Sequence, residues 1–243
     1  MPGLVGTIVE LLARSGLDLA SLGLAWARAV PAVVLVPAFG LRALPAPARA
    51  VMGLAFAAAV FPAVGPGVPS TSQPWLLLLL LEAARGLPVA LAAAVPLWAA
   101  TMAGGILDAL RGSQETATAP AVEGRATPLG VLLSLLGSAI FLASGGPARV
   151  AVALASRPIG GNPLLAAAHD LVSGIELAVA LGGPLLASAI VVELAAALVA
   201  RAASPAQVHA LLAPLRALAT LAIVALVFER IATGLARAVQ AAP

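Results

Sequence analysis

The chain has 243 residues, of which 62% are hydrophobic and 9% are charged, and its mean hydropathy is +1.09. A soluble globular domain carries about 25% charged residues, so this composition excludes an ordinary soluble domain and favours a membrane protein. The net charge of +3 comes from scattered arginines, which excludes a nucleic-acid-binding patch, and the absence of cysteine excludes disulfides, thiolate metal sites and a cysteine nucleophile.

Six long apolar segments follow a short amphipathic stretch at the N-terminus. Residues 4–18 place Leu4, Ile8 and Leu11 on one helical face, which predicts a short interfacial helix. A membrane-spanning helix needs about 20 mostly apolar residues, and runs of this kind recur along the chain. They lie at about 19–39, 48–64, 74–110, 128–155, 163–201 and 206–239. The pattern predicts an all-α, multi-helix integral membrane protein, with residues 1–243 forming a single domain.

Prolines and glycines interrupt these apolar segments. Pro88 and Pro96 are expected to kink the third segment, Ser144–Pro147 to break the fourth, and Gly182–Pro184 falls in the middle of the fifth. In lipid, each backbone group freed by such a break needs another partner. We therefore expect long, broken helices, arranged as helical hairpins and covered by the other subunits of a larger complex.

Ionisable residues within the apolar segments are candidate functional groups, because a charge at membrane depth is costly. Glu82 and Arg85 lie three residues apart, so they can pair with each other. They form a self-neutralised pair or contact a neighbouring helix, or else they line a polar path. Glu193 lies beyond direct reach of Arg201 along the helix, so it needs another helix, another subunit, water or a proton. We favour an interhelix or intersubunit contact.

The sequence contains no recognisable catalytic or metal-binding arrangement. His169 and Asp170 are adjacent, but a second histidine at ligand spacing is missing, so a polar helix face is favoured over a metal site. Motifs for zinc proteases, serine hydrolases and phosphate-binding loops are also missing. Serines in the apolar runs, such as Ser134, Ser138 and Ser188, are expected to bond backbone carbonyls or to allow close helix packing. We predict a protein that is not an enzyme and binds no cofactor.

Four runs of prolines, glycines and charged residues occur in order along almost the whole chain. They are Pro31…Pro37-Ala-Phe-Gly40 with Pro45, Arg49, Gly53 and Pro62; Glu82…Gly86…Pro96…Gly104…Asp108…Gly112; Ser156-Arg157-Pro158-Ile159-Gly160; and Pro184…Glu193…Arg201…Pro205-Ala206-Gln207…Pro214-Leu215-Arg216. Their order and spacing resemble the FliR/SctT family, a subunit of the export gate in flagellar and injectisome type III secretion.

The chain departs from the family pattern at a few positions. Ala206 separates Pro205 from Gln207, and Arg216 stands where lysine is usual. Pro147 replaces a familiar histidine, and Ala119 replaces the aspartate usual before Pro120. The acidic Glu193 and the basic residue after Pro214 favour the injectisome branch.

The resemblance implies a structural subunit of the bacterial inner membrane. Such subunits join P/R-type and Q/S-type subunits in a helical cone, which forms the entrance of the channel for unfolded secreted proteins and contacts the switch subunit. Membrane lipid is a further expected partner and nucleic acid is not. The segment after the third helix, about 111–127, is expected to plug the closed pore through Gln114, Glu115, Thr116, Thr118, Pro120, Glu123 and Gly124. Buried or intersubunit polar contacts are assigned to Glu82, Arg85, Glu193, Arg201, Gln207 and Arg216.

Two other classes of function remain open at this point. A small permease or ion-coupled transporter would use Glu82, Asp170 and Glu193 to bind a cation. An intramembrane enzyme is the least favoured class, because the sequence supplies no catalytic constellation.

Overall fold

A computed structural model describes residues 19–39, 45–64, 74–110, 127–156, 162–203 and 209–242. These residues form seven α-helices and a short 3-10 helix at Pro37–Phe39, with no strand among them. The α-helices are α1 Leu19–Leu35, α2 Ala46–Val64, α3 Trp75–Leu110, α4 Pro128–Ala143, α5 Gly146–Ser156, α6 Pro163–Ala202 and α7 His209–Ala241. The prediction of an all-α fold is confirmed. The predicted interfacial helix at 4–18 lies outside the described residues.

Within the described part of the chain, three helical stretches are long and apolar enough to cross a membrane. They are Trp75–Ala109, Pro163–Ala202 and Ala217–Ala241, and the α4–α5 pair is a fourth candidate if it counts as one broken span. At 1.5 Å per residue, α6 with its 40 residues is about 60 Å long, which is twice the thickness of the hydrocarbon core. Such a helix must tilt strongly in the bilayer or extend beyond it.

The helix ends follow local sequence signals. Asn162 caps α6, since its side-chain oxygen accepts a hydrogen bond from the Leu164 N–H at 3.0 Å, and Pro163 occupies the first helical position. Gly145 follows the end of α4 with φ of +74°, a left-handed conformation that glycine adopts without strain. The break predicted near Ser144–Pro147 is therefore confirmed.

The prolines within the long helices do not end them. α3 is continuous through Pro88 and Pro96, and α6 through Gly182–Pro184. The kinks expected at Pro88 and Pro96 stay predictions.

The chain divides into two compact units. Of the residues that the structure describes, those between 19 and 94 and between 145 and 171 form the first unit, and those between 95 and 144 and between 172 and 242 form the second. In the first unit, α1 and α2 form a hairpin in which Phe39 and Phe56 stack at a tilt, with ring centroids 5.1 Å apart. Val150 and Leu154 of α5 are buried in the same unit.

In the second unit, glycines bring the helices close together. A Cβ atom on Gly137 of α4 would lie 3.1 Å from Leu97 and 3.4 Å from Leu235, so α3, α4 and α7 meet at this position. A Cβ atom on Gly174 of α6 would lie 2.5 Å from the Val95 side chain of α3. The Ser134 and Ser138 hydroxyls are buried and form no hydrogen bond among the described residues, whereas Ser188 donates to the Leu185 carbonyl at 2.9 Å.

Helices α6 and α7 form a hairpin in the second unit. A Cβ atom on Gly234 of α7 would lie 3.3 Å from the Leu181 side chain of α6, and the two positions lie about equally far along the chain from the α6–α7 connection. Most of the apolar surface of these helices is uncovered within this chain. In their most apolar stretches 28% and 17% of the residues are buried, against 39% in α3.

Candidate functional site

The first unit contains a buried cluster of three charged side chains. Arg28 of α1 is paired with Glu82 of α3, with Nη2 2.6 Å from Oε2, and its Nε donates to the same oxygen at 2.7 Å. The Nη1 of Arg28 also donates to the Leu154 carbonyl of α5 at 3.4 Å. Arg85 donates to the other Glu82 oxygen. We call Arg28, Glu82 and Arg85 the ion-pair cluster.

Burial differs among the three side chains. The Arg28 and Glu82 side chains are 9% and 8% exposed, whereas Arg85 is 36% exposed. Arg28 and Glu82 therefore depend on each other for compensation, because buried ions lose most of their hydration. Arg85 can still reach its surroundings.

A glycine on α3 places Arg28 beside Glu82. Gly86 lies one helical turn after Glu82, on the same face of α3. A Cβ atom on Gly86 would lie only 1.9 Å from the Arg28 carbonyl oxygen, a separation that no side chain tolerates. The absence of a side chain at Gly86 thus allows the α1 and α3 backbones to touch, and the Arg28 guanidinium reaches Glu82 one turn away.

The predicted Glu82–Arg85 pair is confirmed, and the contact to a neighbouring helix is Arg28. Arg28, within the first apolar segment, was not among the contacts predicted from the sequence. Its position within that segment was the available signal, because an arginine at membrane depth needs an acidic or carbonyl partner. Both Glu82 oxygens face guanidinium groups, so this carboxylate is occupied and poorly suited to bind a cation.

The second unit contains a buried aspartate that joins the end of α3 to the start of α4. Asp108 lies near the end of α3 and is fully buried. Its Oδ2 accepts a hydrogen bond from the Leu129 N–H, at the start of α4, at 2.7 Å. Thr127 precedes α4, but its side chain forms no capping hydrogen bond. Asp108 therefore supplies the cap that α4 needs, from a different helix.

Close backbone packing reinforces this connection. A Cβ atom on Gly104 of α3 would lie 2.5 Å from the Cα and N of Gly130 and from the Leu129 carbonyl oxygen. The end of α3 and the start of α4 are therefore in contact. The plug residues predicted between them, Gln114 to Gly124, lie outside the described residues.

The other predicted polar contacts are only partly described. Glu193 and Arg201 are both exposed on α6 in the second unit. Gln207 lies outside the described residues, as does the side chain of Arg216. Within the part of the chain that the structure describes, no three acidic, histidine or cysteine side chains are grouped so as to hold a metal ion. His169 is exposed near the start of α6.

The long apolar helices and the ion pair buried between them define an α-helical integral membrane protein. A family model for bacterial export proteins, family 1, matches residues 19–242. The chain belongs to this family, so the FliR/SctT resemblance is confirmed. No curated protein matches the chain.

Membership of this family defines the broad role of the chain. It is a membrane subunit of a type III export apparatus, located in the bacterial inner membrane and associated with other subunits of that apparatus. The family is one of structural subunits, not a known family of enzymes. The assignment to the injectisome branch stays a prediction.

Proposed function

We propose that this chain helps to form the entrance pore of the secretion channel, together with P- and Q-type partner subunits, for unfolded protein substrates. The observation that carries the proposal is the uncovered apolar surface of α6 and α7. Glu193 is exposed on α6 between the exposed Ile190, Val191 and Leu194, so this face mixes apolar and charged groups. Members of this family associate with other subunits of the export apparatus, which favours another subunit on this face.

The contact between the end of α3 and the start of α4 supports the assignment of the segment between them as the plug. The Asp108–Leu129 hydrogen bond and the Gly104–Gly130 contact hold these two helix ends together. A segment that connects two fixed, adjacent helix ends can change its conformation without moving the helices. Small and polar residues also suit a plug, because each large apolar side chain buried in the pore would add roughly 1.5–3 kcal/mol to the cost of opening.

Deletion of residues 114–124 tests the plug in the assembled complex. Because the end of α3 lies beside the start of α4, the six residues that remain between Leu110 and Pro128 can still connect the two helices, and assembly is expected to persist. Leakage of ions and small solutes should rise. The control replaces residues 66–72, in the connection between α2 and α3, with a Gly-Ser segment of equal length and should not leak. A deletion complex that forms normally with unchanged leakage would make the 111–126 segment a simple connection.

The polar residues of the hairpin are proposed to contact the partner subunits. Glu193, Arg201, Gln207 and Arg216 belong to α6, α7 and the connection between them. The charges of Glu82 and Arg85, in contrast, are used within this chain by the ion-pair cluster. Their role is therefore to fix α1 against α3, and an additional contact from Arg85 to a partner is compatible with its exposure.

A further inference from the structure

We propose that a cleft between α6 and α7 binds the headgroup of an anionic phospholipid. The cleft lies within the second unit and has a volume of about 570 Å³. One part of its lining is apolar and includes Leu177 and Leu181 of α6 and Leu226 of α7. The other part is polar and consists of α7 side chains, among them Arg230 and Arg237. The cleft thus offers an apolar wall and a cationic wall to the same ligand.

The helical register of α7 places the two arginines together. Arg230 and Arg237 are seven residues apart, which is close to two turns, so both lie on one face of the helix. Glu229 also lines the cleft, which leaves a surplus of one positive charge. Thr233 lies between the arginines, and its hydroxyl donates to the Glu229 carbonyl at 2.7 Å, so the two guanidinium groups are the anion-binding groups. Guanidinium groups match phosphate oxygens in geometry as well as in charge.

Both helices change between an apolar run and charged residues at the cleft. On α7 the apolar run that ends at Phe228 is followed by Glu229 and Arg230. On α6 the polar residues end at Glu176, and the apolar run begins at Leu177. Both transitions occur at the cleft. Lipid phosphates are favoured where charged residues adjoin an apolar surface, and arginines at such a boundary attract anionic lipids.

The exposed apolar side chains at the cleft favour a lipid over a free anion as the ligand. Leu226 is 83% exposed and is the most exposed of the large apolar side chains described. It lies one turn before Arg230 on the same face of α7. An acyl chain against Leu226, Leu177 and Leu181 would cover this surface while the phosphate contacts Arg230 and Arg237. Inorganic phosphate would leave the apolar wall uncovered. The inference does not depend on the pore or on the secretion partners.

Native mass spectrometry of the full chain in mild detergent tests the proposal, because it resolves each bound lipid and each oligomer by mass. The probes are phosphatidylglycerol and phosphatidylcholine with identical acyl chains. Phosphatidylglycerol should bind more tightly. Arg230→Gln and Arg237→Gln should each weaken its binding by about fivefold, the effect expected for one arginine at an anionic lipid surface. Glu229→Gln should strengthen it, since a negative charge is removed from the cleft.

The matched control is Arg149→Gln, which removes one arginine of α5 in the first unit, away from the cleft. It should leave the preference for phosphatidylglycerol unchanged. Equal weakening by Arg149→Gln would overturn the site, since binding would then reflect net charge alone. Equal binding of the two lipids would also overturn it. Displacement of phosphatidylglycerol by inorganic phosphate at similar concentration would overturn the assignment to a lipid.

Discussion

The Glu82 carboxylate is the central group of the ion-pair cluster. It faces one buried and one half-exposed guanidinium, and breaking a buried pair costs about 3–5 kcal/mol, because the remaining charge is left without compensation. We expect Glu82→Gln and Arg28→Gln to lower the thermal unfolding midpoint of the purified complex strongly. Arg85→Gln should cost no more than about 1 kcal/mol, the usual range for an exposed pair.

A double variant separates loss of charge compensation from loss of packing. Arg28→Met combined with Glu82→Leu removes both buried charges and retains apolar volume, so it should be milder than either single change. If Arg85→Gln lowers the unfolding midpoint as much as Glu82→Gln does, the pairing of Arg28 with Glu82 is not the stabilising contact.

Asp108 is expected to hold the start of α4. Asp108→Ala should cost about 0.5–2 kcal/mol, as the loss of a helix cap does, and should speed amide hydrogen exchange around Leu129. Asp108→Asn should have a smaller effect, since the amide oxygen still accepts a hydrogen bond. Thr127→Ala is the control, because this hydroxyl makes no capping bond. Faster amide exchange around Leu129 in Thr127→Ala than in Asp108→Ala would show that Thr127, and not Asp108, caps α4.

At the scale of the helices, alanine substitutions at two adjacent glycines of α3 are expected to change the stability of the protein in opposite directions. Gly104→Ala would drive a methyl group into the α4 backbone at 2.5 Å, and overpacking of this kind costs about 1–3 kcal/mol or more. A Cβ atom on Gly105 would lie 3.9 Å from its nearest neighbour, the Thr127 hydroxyl oxygen, so alanine fits there. Gly105→Ala should stabilise α3 by roughly 0.5–1 kcal/mol, the usual helix preference for alanine over glycine.

Thermal unfolding of the two variants measures this difference directly. A Gly104→Ala protein as stable as the parent would show that α3 and α4 do not pack in contact at this position.

The helices could be predicted from the sequence because they depend on local signals. Runs of apolar residues located α1 to α7 to within a few residues, and Ser144–Gly145 marked the break between α4 and α5. Pro184 does not end α6. The low helix propensity of proline is a local preference, and tertiary packing outweighs it here. The Arg28–Glu82 pair was not foreseen, because 54 residues separate its members and the approach depends on Gly86.

At the scale of the whole molecule, Glu193 tests whether a partner covers α6. Glu193→Ala should weaken assembly or secretion and leave membrane insertion intact, because it would leave a charged partner group without compensation. Glu193→Gln should be milder if hydrogen bonding is the main contribution. Secretion assays and membrane fractionation of both variants give the comparison. Wild-type secretion by both variants would remove Glu193 from the intersubunit contacts.

The uncovered apolar faces of α6 and α7 lead to the central claim, which is that this export-apparatus subunit is completed by its neighbours. Purification in mild detergent, with and without co-expressed P- and Q-type subunits, tests it most directly. With these partners, the chain should elute as one defined complex that contains all three proteins. Alone, it should be heterogeneous or short-lived. A monodisperse, long-lived monomer that captures neither partner would contradict the claim.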